Sequence, residues 1–599
     1  SSSLKSSYSS SVRANATFTC IDRLIDFIPR QRDFPLAFFN DIGRFNFYLA
    51  GQPQRHLMGF SVRWSGLWWA DGSRELYLDA PGAHAAIAID GVDFLEVGPD
   101  GGVITRGMDF ARGWHRLDIV FRAPYGSSRR FGAGEVRAGT PRPFDAGMVV
   151  TQQIRGWQLQ AYHALRMTKR AIDVGVLVWL AWLFAAVVAQ DARRLLARPV
   201  AIGAGAGIAV LAMAGAIDAL RVAWPWAGRL LVMVGGDDPM TYEWYARDIQ
   251  LNGLLMNGGR PLGEGEPFYY QAFYPYFLAA THALFGEGMF GVLFLQRALG
   301  VWLAILLTLI AIRLAGARVW AAALACSAGF VWWKFFPIAS DLLSESLYIP
   351  LLVAATLATI AAAQQPSTAS AMRAGLLTGD ATITRTTALL AWPAMLLAGL
   401  SGWQVRRDRR RLIAIMLGAA IVVFSLIAVR NWLVSRQVSL TSTEFGVTLL
   451  GGNIPPEGLT IDGSPRFELY RRLALNESTA RVIEYAITHP LAFSDNMARK
   501  ALFALGIYEP YAPGWGLSPV YIMVWTSALA GMAVGRMPGA RPGIFLLPAL
   551  VALSQYAAVV LVYPKGERLI LPIHTLLVPY SAMAVTALVT RLRGSSRAN

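Results

Sequence analysis

The sequence predicts a polytopic α-helical membrane protein of about 11 to 12 spans with an N-terminal β-rich domain. Of its 599 residues, 55% are hydrophobic and 15% charged, and its mean hydropathy is +0.41, so it is more apolar than a soluble protein. From residue 171 onward, apolar stretches of about 20 residues recur, each able to cross a hydrocarbon core of about 30 Å. Residues 1 to about 170 contain only short alternating apolar runs.

The clearest spans are long apolar stretches with few charged residues. They are Ala171–Ala189 (with Asp173 near its start), Val200–Val222, Met289–Ile312, Val319–Pro337, Leu342–Ala363, Leu412–Val429, Pro519–Val534, Gly543–Tyr563 and Leu569–Val589. Between them the segment 268–403 is ambiguous. If 268–285 spans, 374–403 crosses once; if 268–285 only dips in, 374–403 forms two short crossings broken near Arg385.

Basic residues in short loops set the predicted orientation, because such loops stay in the cytoplasm. Much of the net charge of +16 lies in these loops, at 193–198, 406–411, 535–541 and 591–599, so nucleic acid is not an expected partner. This order places 1–170, 223–267, 430–518 and 564–568 on the extracytoplasmic side. We therefore predict four regions: an outer domain (1–170), a membrane module with an outer loop at 223–267 (171–429), an outer loop region (430–518) and C-terminal spans with a cytoplasmic tail (519–599).

The N-terminal region reads as a two-sheet sandwich. Its strand candidates are Phe60–Trp64, Glu75–Leu78, Ala86–Ile89, Gly102–Thr105 and Arg116–Phe121, with turns at Asp71-Gly72, Asp90-Gly91 and Asp100–Gly102. The first 20 residues contain no apolar run that could export this domain. We expect either an upstream segment or a poorly ordered start. Cys20 and Cys326 do not suggest a disulfide framework.

Asp237 and Asp238 form the most informative polar pair, at the end of a span in a predicted outer loop. A carboxylate there can take the proton of a hydroxyl group that attacks a sugar. The competing reading is structural, with Asp238 capping a helix that starts at Pro239.

Several motifs resemble the glycosyltransferase C superfamily, in particular bacterial relatives of protein O-mannosyltransferases and lipid A aminoarabinose transferases. Asp237-Asp238 with Tyr242 and Ala246 resembles the family's Asp-Asp/Glu loop. The others, in the family's order over about 200–590, are Tyr270–Tyr276 with Leu284–Gly286, Ser344–Leu347, Gly375–Gly379 with Thr384-Arg385, Arg430-Asn431 with Gly451–Asn453, and Glu567-Arg568 with Leu571-Pro572. Two departures are Asp238, where relatives often carry Glu, and Asp380, where they are usually apolar.

The resemblance implies a glycosyltransferase of the GT-C fold that moves a sugar, with inversion, from a polyprenyl-phosphate donor to a glycan, lipid or protein acceptor. It implies a bacterial inner membrane location with the active site facing outward. Asp237 or Asp238 would be the base, and a divalent cation at Asp237 is possible. Arg385, Arg430, Arg568 and Lys565 would bind the donor phosphate, with Lys334 behind them. Tyr242, Tyr270, Tyr274 and Glu345 would bind substrate.

Arg385 is the strongest of these cations on physical grounds, because it lies within an otherwise apolar segment. For Arg430 or Lys565 alone, a side chain snorkelling from a span end is an equally good interpretation. The seven histidines show no paired metal-ligand spacing, so no zinc site is expected. Gly203-x-x-x-Gly207 indicates a helix-packing contact.

Residues 57–125 resemble a PA14-type β-sandwich, through Phe60–Gly66, Ala88–Gly91 and Gly113–Leu117 with Phe121. Such domains often bind carbohydrate. Trp64, Trp68, Trp69 and Trp114 could stack on sugars, although tryptophans in a small sandwich are more often core residues. Two other functions remain open: a transporter or flippase of a lipid-linked glycan, with its essential charges inside spans, and a non-catalytic scaffold, for which Asp237 would be dispensable.

Overall fold

The structure, a computed structural model, describes most of the chain from residue 60 onward. The described parts are strands 4–10, 17–22 and 26–27, and residues 60–80, 82–123, 131–137, 139–144, 149–150, 198–223, 237–257, 267–285, 289–402, 406–437, 444–454, 475–507, 518–535, 541–562 and 567–595. Residues 262, 263, 265, 439 and 442 and parts of a helix in 171–189 are also described. By their contacts the residues divide into two compact units, 1–174 with 228–233 and 243–265, and the remainder.

In the first unit the described strands are hydrogen-bonded into one sheet. They are β1 (Leu4–Ser10), β2 (Thr17–Asp22), β3 (Asp26–Phe27), β4 (Phe60–Asp79), β5 (His84–Ile89), β6 (Val92–Val97), β7 (Val103–Ala123), β8 (Phe131–Arg137), β9 (Thr140–Pro143) and β10 (Val149–Val150). The main order is β2-β1-β4-β7-β5-β6, and β8 pairs with β4. The prediction of two separate sheets is corrected, because the described strands belong to one hydrogen-bonded network.

Two long antiparallel strands replace four predicted short ones. β4 contains both Phe60–Trp64 and Glu75–Leu78, and β7 likewise contains Arg116–Phe121 together with all but the first residue of Gly102–Thr105. The predicted turn at Asp71-Gly72 is wrong: the β4–β7 register shifts between Ala70 and Gly72, and Gly72 has a φ of 69°. A glycine in this left-handed region allows a bulge without ending the strand.

The other predicted turns and a compact core are present. Asp90 and Gly91 have φ values of 54° and 82° between β5 and β6, and 98–102 connects β6 to β7. Trp68 is fully buried in the core and donates through Nε1 to Glu135 Oε1 at 2.9 Å. Trp69 is 37% exposed and its ring lies 5.3 Å from that of Trp114. The core interpretation is therefore right for Trp68.

The second unit is helical. Among the described residues, its helices of ten or more residues are α1 (Arg198–Ala223), α2 (Asp237–Asn252, of which 243–252 belongs to the first unit), α3 (Phe273–Phe285), α4 (Met289–Ala315), α5 (Trp320–Phe330), α6 (Glu345–Gln364), α7 (Thr368–Thr384), α8 (Trp392–Gly402), α9 (Arg406–Ser435), α10 (Glu444–Asn453), α11 (Leu475–Thr488), α12 (Pro490–Ala504), α13 (Pro519–Val534), α14 (Leu547–Leu561) and α15 (Glu567–Ser595). Short 3₁₀ turns precede α5 and α8, and a π-helical turn, Val331–Phe335, follows α5.

Six helical segments among the described residues are long and apolar enough to cross a membrane. They are Gly203–Leu220, Phe290–Ala315, Ala317–Ile338, Glu345–Gln364, Arg409–Ser435 and Glu567–Arg593. Shorter apolar helices occupy Thr386–Leu400, Pro519–Val534 and Leu547–Leu561. This is the architecture of an integral membrane protein, as the composition predicts.

The ambiguous middle segment is broken at Arg385. α7 ends at Thr384, Arg385 is extended (φ −151°, ψ 126°), and helical structure restarts at Thr386. α3 has 13 residues and a length of about 20 Å, too short to cross a hydrocarbon core by itself. These features agree with the alternative in which 268–285 dips in and 374–403 forms two short helices.

Glycines allow close helix packing at two places. A Cβ added at Gly203 or Gly207 of α1 would meet Trp320 or Leu324 of α5, so the predicted Gly203-x-x-x-Gly207 contact is confirmed. A Cβ at Gly375 of α7 would likewise meet the backbone of Met416 in α9. Small residues let helix backbones approach in this way.

Candidate active site

Asp238 lies in the first turn of α2, which begins at Asp237. Its Oδ1 accepts a hydrogen bond from the Tyr270 hydroxyl at 2.5 Å, and its Oδ2 forms an ion pair with Arg568. The carboxylate thus faces other parts of the unit, and the expected helix start at Pro239 lies two residues too late. The side chain of Asp237 is outside the described residues, as is Lys565.

Glu345 connects two arginines that are far apart in sequence. It opens α6 and its side chain is 1% exposed. Arg385 Nη1 lies 2.7 Å and Arg568 Nε 3.7 Å from its Oε1. Arg385 also donates to Ser344 Oγ at 3.2 Å. The break before Thr386 places Arg385 between two helices, and its side chain meets the start of a third.

Three tyrosines pack beside these charges. The Tyr242 ring lies 5.1 Å from that of Tyr270 and 5.0 Å from that of Tyr274. Tyr242 donates to Ser344 Oγ at 3.1 Å, and Tyr274 donates to Gln296 Oε1 at 2.6 Å. Tyr274 is fully buried, so it supports Tyr242 from below and does not face the cleft itself.

The two arginines and Glu345 line a narrow cleft, which we call the arginine cleft. Its wall combines polar and apolar side chains: Tyr348, Thr387, Gln555, Ala558, Val559, Leu569 and Pro572. Tyr348 donates to Gln555 Oε1 at 2.7 Å, and Gln555 donates to the Thr387 carbonyl oxygen at 3.2 Å. These hydrogen bonds hold the polar side chains of the wall in fixed positions relative to one another.

The electrostatics of Asp238 are those of an ionised group. Burial alone would raise the pKa of Asp238, but the charge of Arg568 and the hydrogen bond from Tyr270 outweigh burial and hold this pKa below its usual range. Burial and the charge of Asp238 raise the pKa of Tyr270, so the phenol remains a donor. The site contains two close ion pairs, Asp238 with Arg568 and Glu345 with Arg385.

Arg430 has a different environment. Its guanidinium lies 3.9 Å from the centre of the Phe268 ring and donates to Asn431 Oδ1 at 2.9 Å. Asn431 also accepts from the Phe268 backbone N–H and donates to the Ser439 carbonyl oxygen. The Arg430-Asn431 motif thus ties two loops together, and the phosphate-binding role of Arg430 stays a prediction.

Several polar residues at or near the site were missed by the sequence analysis. Glu444, at the start of α10, is subject to the charges of Arg385, Asp238 and Arg568, and burial raises its pKa to about 7. Burial also raises the pKa of Asp341. Lys500 is 3% exposed and binds Gly452 O and Asn453 Oδ1, and burial lowers its pKa to about 8. A single polar residue in a polar stretch gives no periodic signal.

The metal prediction remains open. Within the described part of the chain, no three His, Cys, Asp or Glu side chains are grouped so as to hold a metal ion. The side chain of Asp237, on which that prediction rests, is not among those described.

Neither a family of known proteins nor an individual curated protein matches the sequence. Among solved structures, the chain is similar to the Archaeoglobus fulgidus oligosaccharyltransferase in complex with Zn and sulfate, with 12% identity, a TM-score of 0.40, and 64% of this chain and 49% of that chain covered. It is also similar to ArnT from Cupriavidus metallidurans bound to undecaprenyl phosphate, with 16% identity, a TM-score of 0.39, and 63% and 59% covered.

A third likeness is to the PA14 domain of the MpAFP antifreeze protein, with 15% identity, a TM-score of 0.19, and 25% of this chain and 90% of that chain covered. The chain spans about half the length of the oligosaccharyltransferase that it matches. With TM-scores below 0.5, these likenesses support no conclusion about activity.

Proposed function

We propose that this integral membrane protein is a glycosyltransferase that moves a sugar from a polyprenyl-phosphate donor to an acceptor hydroxyl. The observation that carries the proposal is the convergence of Arg385 and Arg568 on Glu345 at the edge of a cleft with an apolar wall. Planar guanidinium groups pair well with phosphate oxygens, and Ala558, Val559 and Leu569 suit the first carbons of a lipid chain. A phosphate joined to a lipid needs both surfaces together.

The chemistry requires a base as well as a phosphate site. The acceptor oxygen attacks the anomeric carbon, the bond from that carbon to the phosphate oxygen breaks, and its electron pair leaves with the phosphate. A carboxylate takes the hydroxyl proton. A single displacement of this kind inverts the anomeric centre. We assign the base to Asp237, with Asp238 as the alternative, because the ion pair with Arg568 makes Asp238 a weak proton acceptor.

The remaining roles follow from positions around the cleft. Tyr270 orients Asp238 through its hydroxyl. Tyr242 donates to Ser344, and Tyr274 packs against Tyr242. Glu345 holds both arginines until a phosphate arrives. We propose a bacterial inner membrane location with this site on the extracytoplasmic face, because the basic loops place 223–267 there. The acceptor is a glycan, lipid or protein, and a divalent cation at Asp237 would supply charge stabilisation of the leaving phosphate.

A transporter of a lipid-linked glycan is the second candidate. One observation favours it: Asp218 and Arg297 form an ion pair between two candidate spans, where transporters carry their essential charges. Purified protein in liposomes distinguishes the two functions. A transferase releases polyprenyl phosphate from a radiolabelled polyprenyl-phosphate sugar and forms a new glycoside when an acceptor is supplied. Movement of the intact donor between leaflets without cleavage would replace this proposal by the transporter.

A further inference from the structure

Hydrogen bonds hold the start of α10, where Glu444 lies, against residues that adjoin Arg385 and the Asp238 partner Tyr270 in sequence. Its backbone N–H donates to the Tyr269 carbonyl oxygen at 3.0 Å, and the next residue, Tyr270, donates to Asp238. Gln271 Nε2 then bridges Ser442 Oγ at 2.9 Å and Thr386 Oγ1 at 2.6 Å. Through these bonds the start of α10 is held beside the residues that flank Arg385 and Asp238.

The carboxyl of Glu444 differs from Asp238 and Glu345 in having no ion-pair partner among the described residues. Asp238 pairs with Arg568 and Glu345 pairs with Arg385. Among the described residues, no Lys, Arg or His nitrogen lies within ion-pair distance of Glu444, whose hydrogen-bonding side-chain neighbour is Thr448 at 3.5 Å. Burial raises the pKa of Glu444 to about 7, against the positive charge of Arg385 and together with the negative charge of Asp238.

The other ionisable groups around α10 are few. Glu345 and Arg568 also act on Glu444, which in turn raises the pKa of Tyr242 and Tyr270. Lys500 binds the opposite end of α10 at Gly452 and Asn453. The titratable residues on the two other helices that pack against α10 are Glu477, Arg481, Glu484 and Tyr485 of α11 and Tyr556 of α14.

An anion that enters the cleft changes this balance. Two arginines and two carboxylates, Asp238 and Glu345, sum to zero charge, so a phosphate diester adds one negative charge. As the arginines turn to the phosphate, Asp238 and Glu345 lose part of their compensation. Because like charges disfavour ionisation, the carboxyl of Glu444, which has no ion-pair partner among the described residues, gains affinity for a proton.

We propose that Glu444 takes up one proton from solvent when a phosphate diester binds in the arginine cleft, so that the affinity for this anion falls as pH rises. The identity of the anion rests on the proposed function. Below a pH of about 7 the carboxyl is already protonated in the free protein, so affinity is constant there. Above a pH of about 7, binding of each anion requires the uptake of one proton from solvent by Glu444. Kd therefore rises by up to tenfold per pH unit until Glu444 loses its proton in the bound form as well.

Binding of farnesyl methyl phosphate to the full-length protein in nanodiscs tests this. As a diester, the probe keeps one charge between about pH 5.5 and 8.5, so any slope belongs to the protein. We expect Kd to rise above neutral pH in the wild type. Glu444→Gln should bind with the low-pH affinity at every pH, whereas Glu444→Asp should keep a slope. Asp341→Asn tests the rival carboxyl, because burial also raises the pKa of Asp341 and the charges of Arg568 and Asp238 also act on it; this variant should keep the wild-type slope.

A flat wild-type profile overturns the inference, and so does a slope that survives Glu444→Gln or disappears in Asp341→Asn. The test is independent of sugar transfer. A protein that shows the slope but transfers no sugar would contradict the proposed function alone, and one that transfers sugar with a flat profile would contradict the Glu444 role alone. Absence of binding, or binding unaffected by Arg385→Ala, would overturn both.

Discussion

The helical unit contains two carboxylate–arginine groupings with opposite characters. In the arginine cleft, Arg385 and Arg568 are 14% and 32% exposed and share Glu345. In the other grouping, Arg297 is 2% exposed, binds Asp218 Oδ2 through two nitrogens at 2.9 and 2.5 Å, and lies 4.9 Å from the Phe336 ring. The first has donors that a ligand can reach. The second is closed to solvent, and its Arg297 Nη1 is buried with no hydrogen-bond partner among the described residues.

A short loop connects the two groupings. Arg297 donates to Ser340 Oγ at 2.7 Å, and Gln296 donates to the carbonyl oxygens of Ala339 and Asp341. Gln296 also accepts from Ser346 in the first turn of α6. The closed grouping thus holds the loop that leads into Glu345. The two groupings therefore differ in role. The Asp218–Arg297 pair stabilises the fold, whereas the arginines of the arginine cleft remain accessible to a ligand.

The largest expected effect is on the chemical step. Asp237→Asn keeps the size of the side chain but removes its ability to accept a proton, so turnover should fall by about 10² to 10⁴-fold while donor binding persists. Turnover and donor affinity measured on the same preparation separate these quantities. Asp238→Asn should be milder in turnover. Normal turnover of Asp237→Asn would exclude it as the base, and a reversed ranking would transfer that role to Asp238.

This part of the site shows what the sequence could and could not predict. Arg385 was predictable, since an ionisable residue in an apolar segment has few structural explanations. Glu345 and Arg568 followed from short motifs. The ion pairs that Arg568 forms with Glu345 and Asp238 were not predictable. Arg568 and Asp238, for example, are 330 residues apart, and nothing in local spacing links them. Glu444 was missed because it follows polar residues at the start of a short helix.

The fold shows the same division. Apolar length predicted the spans, and the break at Arg385 was one of two alternatives. In the sheet, Asp71-Gly72 has the composition of a turn, but pairing of β4 with β7 on both sides of it keeps one strand continuous. Tertiary pairing of this kind overrides local turn preference.

The closed grouping should respond to mutation through stability. Arg297→Met leaves Asp218 without its partner between two helices, and loss of one member of a buried pair costs about 3–5 kcal/mol. The double variant Arg297→Met/Asp218→Leu should recover most of this loss. Thermal unfolding in detergent measures both variants. If the double variant were as unstable as the single one, the pair would be needed for more than charge compensation, for example to hold Ser340.

In the arginine cleft, the same kind of change should alter binding. Arg568→Ala removes a charge-assisted contact worth about 1.5–3 kcal/mol, so donor affinity should fall by roughly 10 to 150-fold with little change in the acceptor requirement. Asp238→Asn should instead raise donor affinity, because it releases Arg568 from its ion pair. Titration with farnesyl methyl phosphate measures both. Equal weakening by the two variants would contradict a phosphate role for Arg568.

The smallest expected effect concerns an exposed pair in the sheet, which extends the comparison to a solvated site. Burial alone would lower the pKa of His115, but bonds to the Ala111 carbonyl oxygen and to Asp90 at 2.7 Å raise it. The pKa of Asp90 is lowered despite its burial, through the same histidine and the Arg116 N–H.

Because the pKa of His115 is raised on folding, its stabilisation of the fold is complete below about pH 6.5 and is lost as pH rises through the folded pKa. Because the pKa of Asp90 is lowered, its stabilisation is present above about pH 4 and is lost on acidification. The pair therefore contributes most between these limits, and because Asp90 is 53% exposed, the contribution should stay below about 1 kcal/mol.

Asp90→Asn keeps the left-handed turn, which asparagine tolerates, and should lower the pKa of His115. Selective ¹³C-histidine labelling of the full chain would follow this titration, with Asp100→Asn, at the neighbouring turn, as the control that leaves it unchanged. A His115 pKa that does not move in Asp90→Asn would assign the shift to the Ala111 carbonyl oxygen instead.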